Sequence, residues 1–294
     1  MSLQEDILLM KNRAVCRSYG KINLTLDVLG KRSDGYHDVE MVMQTVNIFD
    51  LVIVDKTPAS ISVSSNVKFL PDNHKNIAYQ AADLFFRRTG ITGGAKILIH
   101  KNIPISAGLA GGSGNAAAVL CALNLLYNHP LTADTLLELA SQLGADVPFC
   151  IRCGTALASG IGDILTPLPS LPRTALLLVK PNNTAVSTPD IYRAIDNVKI
   201  PKHPDTKAMI SAIESGNMDA VCAQLYNVME PVTARIYPQI TAIKEEMLAA
   251  GAIGAVMSGS GPTVFGLFRD TITAKKAADQ FSDKFREVFA CTTI

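Results

Sequence analysis

The chemistry of this chain is concentrated in one segment. Between Pro104 and Ala118 the sequence reads Pro-Ile-Ser-Ala-Gly-Leu-Ala-Gly-Gly-Ser-Gly-Asn-Ala-Ala-Ala, with four glycines inside residues 108–114. It runs into Ala116–Tyr127, which is apolar on nearly every side and so reads as a buried helix. The first N–H groups of such a helix are expected to be buried too, and nothing inside the helix satisfies them. Glycines let the preceding backbone approach a ligand without Cβ clashes. Bare amides at the positive end of a helix suit a phosphate. The alternative is a glycine-rich turn that lets a core helix pack closely. Two familiar phosphate motifs fit poorly. No Lys follows the glycines, as a P-loop requires. Gly112-x-Gly114-x-x-Ala117 has dinucleotide-binding spacing, but Lys101–Ala107 separates it from the strand expected at Lys96–His100.

Other reactive residues are less telling. Cys150-Ile-Arg-Cys153 has redox or zinc spacing without a second such pair, and the five histidines are scattered. The six cysteines read as reduced bystanders. Net charge is +1 with no basic run, which leaves no electrostatic footprint for nucleic acid. No apolar run reaches the length of a membrane span. The first thirteen residues carry Glu5 and Asp6 before a short apolar patch, too acidic for a signal peptide, so a cytoplasmic protein is expected.

The elements that must position the loop follow from periodicity. Ile22, Leu24, Leu26 and Val28 alternate as in a strand, Ser33-Asp34-Gly35 turns, and Val39–Val46 and Leu51–Val54 continue the sheet. Asn76–Arg88 has helical spacing, and Ala133–Gln142 is a helix stopped by Gly144. Thr166–Pro172, rich in proline, marks the boundary between residues 1–166 and 167–294. Beyond it, Ala175–Val179 is a strand and helical structure starts at Asp190–Ile195. Ser211–Glu214, Ala220–Met229 and Ile240–Ala250 are helices. Ile253–Met257 and Thr263–Phe268 pair around a Ser-Gly-Ser-Gly-Pro turn, then come a helix over Ala274–Phe285 and a closing strand, Val288–Thr292. Without the extra helices this is β-α-β-β-α-β, the ferredoxin-like order.

Five ordered blocks carry a resemblance. Gly20-Lys-Ile-Asn-Leu24, Gly30-Lys-Arg-Ser-Asp-Gly-Tyr-His37, the glycine segment, Leu143-Gly-Ala-Asp-Val-Pro148 and Met257-Ser-Gly-Ser-Gly-Pro-Thr263 together resemble the GHMP kinase superfamily over nearly the whole chain. The first two blocks look like the branch whose acceptor is a cytidine-diphosphate-linked methylerythritol. The resemblance implies an α+β fold of two domains. The N-terminal one is a mixed α/β nucleotide-binding domain and the C-terminal one is ferredoxin-like. It also implies phosphoryl transfer from ATP, with Mg²⁺, to an alcohol.

By the same resemblance Asp146 matches the catalytic acidic residue and Lys21 the active-site lysine, although on spacing alone Asp146 is a turn residue and Lys21 a solvated strand-end lysine. Asn23, on the same side of its strand as Lys21, matches a substrate contact, as Asp146 also does. Tyr36 and His37 sit where cytosine is recognised, and Tyr192 aligns with a second aromatic on the base, with core packing its alternative. Pro104, Ala107, Gly108, Leu109, Ala110, Gly111, Gly112, Ser113 and Gly114 would cradle ATP, with Asn76 and Lys101 near the nucleotide. Two positions depart from the common Gly-Leu-Gly-Gly-Gly-Ser-Ser-Asn-Ala-Ala pattern. Ala110 replaces a glycine, which requires a φ that a Cβ tolerates, and Gly114 replaces a serine. Ser113 is left as the hydroxyl of that stretch for Mg-ATP. The competing expectations are another alcohol kinase of the superfamily and a non-catalytic relative that binds its ligand as a sensor. Oligomeric state is not readable from the sequence.

Overall fold

The computed structural model describes residues 2–294. In chain order the strands and helices are β1 (Ile7–Leu9), β2 (Arg13–Lys31), β3 (His37–Thr57), β4 (Ile61–Ser65), α1 (Ile77–Thr89), β5 (Gly94–His100), α2 (Gly111–Leu126), α3 (Ala133–Leu143) and α4 (Val147–Arg152). They continue with β6 (Thr155–Ser159), β7 (Ile164–Pro167), β8 (Ala175–Lys180), α5 (Thr188–Ile195), α6 (Thr206–Glu214), α7 (Met218–Ala223) and β9 (Tyr226–Asn227). The last elements are α8 (Glu230–Ile236), α9 (Gln239–Ala249), β10 (Gly254–Met257), β11 (Val264–Phe268), α10 (Thr271–Ser282) and β12 (Glu287–Thr292).

Two compact units interleave along the chain. Among the described residues one comprises 2–20, 48–103 and 110–153, the other 21–47, 104–109 and 154–294. In the first, the end of β3 pairs antiparallel with β5, from Leu51 opposite His100 to Thr57 opposite Gly94, and β4 runs parallel to β5. Helix α2 packs against α1, α3 and α4. It is buried from Gly114 through Asn124, as an all-apolar helix must be. Asn76 caps α1 by accepting from Ala78 N at 2.9 Å, and Thr132 caps α3 by accepting from Thr135 N at 3.2 Å.

In the second unit β3 pairs with β6, and β6 with β7. A separate antiparallel sheet has the order β10-β11-β8-β12. Its four strands alternate with helices in β-α-β-β-α-β order, and α9 and α10 pack on them. Strand β8 is buried throughout, as a central strand covered on both faces requires.

Three expectations are corrected here. Residues 39–46 and 51–54 belong to one 21-residue strand, β3, because Asn47–Asp50 keep the alternation that a turn would break. Of the helix expected over Ala220–Met229 only residues 220–223 are helical, as the end of α7. The chain leaves α7 at Gln224, and Tyr226–Asn227 pair parallel to Thr25–Leu26. Asn227 enforces the break, donating through Nδ2 to the carbonyls of Met257 and Gly259, both at 2.8 Å, while accepting from Met229 N. Third, α2 starts at Gly111, five residues before the expected Ala116.

Candidate active site

The glycine segment is only partly a loop. Ser106, Gly108 and Ala110 take left-handed φ values of 51°, 74° and 57°, and the helix begins at once after them. Ala110 is therefore in the conformation that favours glycine, and its Cβ is tolerated under strain. Gly108 is required for a second reason. A Cβ there would lie 2.2 Å from the Ser258 carbonyl oxygen, and Ser258 Oγ donates to Gly108 O at 3.0 Å. The Ser-Gly-Ser-Gly-Pro turn is thus the seat of residues 104–109. Gly259 packs against Gly108, with a Cβ position 3.5 Å from Asn23 Oδ1. Pro104, Ala107 and Leu109 are buried and anchor the segment.

The first intrahelical bond of α2 runs from Gly114 N to Ala110 O at 2.8 Å, which leaves the amides of Gly111, Gly112 and Ser113 ahead of the ladder. Among the described residues no side chain caps them. The expectation that these amides are buried is corrected. Gly112 is exposed and Gly111 and Ser113 are half-buried, because burial begins only at Gly114, which packs against Ser18.

Beneath this helix start lies a buried polar network that the sequence did not disclose. Asp50, fully buried, accepts from Asn102 N at 2.7 Å, Ile103 N at 2.8 Å and Asn115 Nδ2 at 2.9 Å, and pairs with Lys101 Nζ. Lys101 Nζ also reaches Asn115 Oδ1 at 3.3 Å and stands 2.9 Å from where a Gly111 Cβ would be. Its charge is met by Asp50. Asn115 Nδ2 donates further to Ser18 Oγ at 3.2 Å. That hydroxyl lies 2.6 Å from the position of a Cβ on Gly114. Gly114 is therefore a packing requirement, with Ser18 filling the space its side chain would take. Asn76 donates to Pro71 O at 2.7 Å besides capping α1, and Ile77 lies 3.8 Å from the Cβ position of Gly112.

On β2, Lys21, Asn23, Thr25 and Asp27 form a row of buried polar residues on one face. Lys21 N donates to Leu109 O at 3.1 Å, and Lys21 Nζ to Asn23 Oδ1 at 2.7 Å, so the lysine and asparagine meet as their spacing foretold. Asp146, in the other unit, is the residue before α4 with helical dihedrals and caps nothing with its side chain. Its carbonyl accepts from Cys150 N at 3.1 Å.

Tyr36 is 62% exposed at the β2–β3 turn, an aromatic face open to a partner. Tyr192 stacks on His37, with ring centroids 4.7 Å apart and planes 20° from parallel. The His37 Nε2 lies 2.6 Å from Asp196 Oδ1, and Lys31 Nζ donates to Asp196 Oδ2 at 2.7 Å. The His37 hydrogen bond, then the lysine, hold the Asp196 carboxyl below the usual carboxylate range. Cys16 and Cys121 are buried free thiols. Burial pushes the Cys16 thiol far up and Cys121 up to about 12.

Comparison with known proteins bears directly on this geometry. Residues 76–154 match the GHMP kinases N terminal domain and residues 209–287 the GHMP kinases C terminal domain. A 4-diphosphocytidyl-2-C-methyl-D-erythritol kinase of Caldicellulosiruptor saccharolyticus is 48% identical, over 95% of this chain and 96% of its own. The chain belongs to the GHMP kinases. A second relative of this GHMP kinase, the enzyme of the same name from Alkaliphilus metalliredigens, is 46% identical over 92% of this chain and 93% of its own. The crystal structure of a 4-(cytidine 5'-diphospho)-2C-methyl-D-erythritol kinase superposes with a TM-score of 0.80 at 33% identity, covering 95% of this GHMP kinase and 98% of that chain. A homoserine kinase from Cytophaga hutchinsonii shares the fold, with a TM-score of 0.74 at 20% identity over 97% and 96% of the two chains. The α+β GHMP kinase fold expected from the five blocks is the fold observed.

Proposed function

We infer that this GHMP kinase transfers the γ-phosphate of ATP to the 2-hydroxyl of 4-diphosphocytidyl-2-C-methyl-D-erythritol, a step in non-mevalonate isoprenoid precursor synthesis. Similarity over 95% of the chain to a relative bearing that name supports the acceptor. The observation that carries the chemistry is the uncapped start of α2, where the amides of Gly111, Gly112 and Ser113 precede the helical ladder beside left-handed Ala110. Amides aligned at a positive helix end bind the phosphates of ATP without a large global charge. Mg²⁺ would enter as part of the Mg-ATP substrate, and Ser113 Oγ is the hydroxyl of residues 104–114 that would be offered to it in this reading.

Asp146 accepts the proton of the acceptor hydroxyl, and Lys21, oriented by Asn23, neutralises developing charge. Phosphoryl transfer asks little covalent work of the protein, so positioning and electrostatics carry more of the rate than proton abstraction. Tyr36, His37 and Tyr192 recognise the cytosine, and Asn76 and Lys101 frame the nucleotide from α1 and the network under the loop. The division at residues 166 and 167 belongs to the same reading. The deciding assay measures ADP release with Mg-ATP and the cytidylyl acceptor against mevalonate, phosphomevalonate, homoserine and galactose. Turnover with one of the latter and none with the cytidylyl compound overturns the assignment.

A further inference from the structure

Helix α5 and the residue that ends it present two side chains to His37. Tyr192 covers the face of the imidazole, and Asp196, four residues later, takes its edge through Nε2 at 2.6 Å. The His37 side chain is only 6% exposed, so face and edge contacts together fix the ring. Lys31 Nζ, 2.7 Å from the other Asp196 oxygen, is a second partner of that carboxylate and holds it toward the ring.

A carboxylate oxygen on Nε2 requires that nitrogen to carry hydrogen, which makes Nδ1 of the neutral ring an acceptor. The opposite tautomer sets the Nε2 lone pair against an anionic oxygen. Among the described residues Nδ1 has no hydrogen-bond partner, and it is not one of the side-chain atoms sealed from solvent. The unused edge of His37 is therefore an acceptor open to a ligand.

We propose that Asp196 is a specificity-determining positioning residue, holding His37 with Nδ1 as an acceptor so that bases offering an exocyclic amino group are chosen over bases offering a carbonyl. This rests on the reading above that His37 meets the acceptor base. Cytosine donates from its amino group to Nδ1, whereas uracil sets a carbonyl oxygen against the same lone pair. Asp196 touches neither base nor phosphate in this scheme and acts through the imidazole.

The test compares cytidine- and uridine-diphosphate-linked acceptors in the unmodified protein, Asp196→Ala and Asp196→Asn. The unmodified protein is expected to favour cytidine by about tenfold to a hundredfold in kcat/KM, the worth of one base-edge hydrogen bond. In Asp196→Ala that ratio falls toward one, with KM for ATP unchanged. Nitrogen-15 NMR of the unmodified protein is expected to show His37 protonated on Nε2, and this reading does not depend on any variant folding. A cytidine-to-uridine ratio indifferent to Asp196, or a proton on Nδ1 of neutral His37, overturns the proposal alone. Failure of the unmodified protein on both acceptors overturns the assigned reaction and the specificity with it.

Discussion

Lys21 and Asp146 are the residues on which turnover is expected to depend. Replacing Asp146 with asparagine keeps size and polarity and removes the proton acceptor, so kcat is expected to fall by about 10²–10⁴ with KM for both substrates little changed. Single-turnover phosphoryl transfer measures it, and a loss below about tenfold would show that the carboxylate is not a general base. A ligand sensor, by contrast, has no turnover to lose. Asn23 is distinguishable from both. It accepts from Lys21 Nζ at 2.7 Å, so Asn23→Ala acts through the lysine's orientation as well as any contact of its own.

The start of α2 stores a cost that one substitution relieves. Left-handed backbone at a residue with a Cβ costs roughly 1–2 kcal/mol, and Ala110 stands at φ 57°. Ala110→Gly recovers that, less about 0.5–1 kcal/mol of added chain entropy. The expected net gain is about 0–1.5 kcal/mol, seen as a Tm rise of roughly 2–4 °C for each kcal/mol gained. The Asp50 network works in the opposite sense. Asp50→Ala strands a buried Lys101 and two backbone amides, and breaking such a pair costs about 3–5 kcal/mol. Adding Lys101→Met to it should restore part of the lost denaturant midpoint, whereas KM for ATP stays raised because the 101–103 segment has lost its anchor. Two additive losses would show that the pair is not coupled.

For the molecule as a whole, acid is the most informative stress. Asp55 beside Arg13, Asp34 under the Tyr36 amide, Asp196 and Asp270 at the α10 cap all have carboxyls held below their usual range. Depressed folded values contribute stability that is complete above the unfolded pKa of about 4 and is lost as pH falls through the lower folded values. Thermal melts should thus be flat from pH 7 to about 5 and drop below about 4, with a shallower drop in high salt because these groups are largely solvent-facing. Much of the fold was legible beforehand, since alternation on β2, the all-apolar α2 and the strand–helix order of the second sheet are local patterns. What stayed hidden depends on partners distant in sequence. Asp50 reads as an ordinary residue until Lys101, Asn115 and two amides converge on it, and Asn227 breaks a helical pattern only because the carbonyls of Met257 and Gly259 await it. Asp196 likewise gains its meaning from His37, 159 residues away. The fit of Ser18 against Gly114 makes positions 18 and 114 interdependent. A side chain at 114 must turn the Ser18 hydroxyl away and crowd the Tyr19 carbonyl at 3.2 Å, so Ser18→Gly is expected to offset part, and only part, of the stability lost in Gly114→Ser. A double-mutant cycle on the melting temperature reads that coupling.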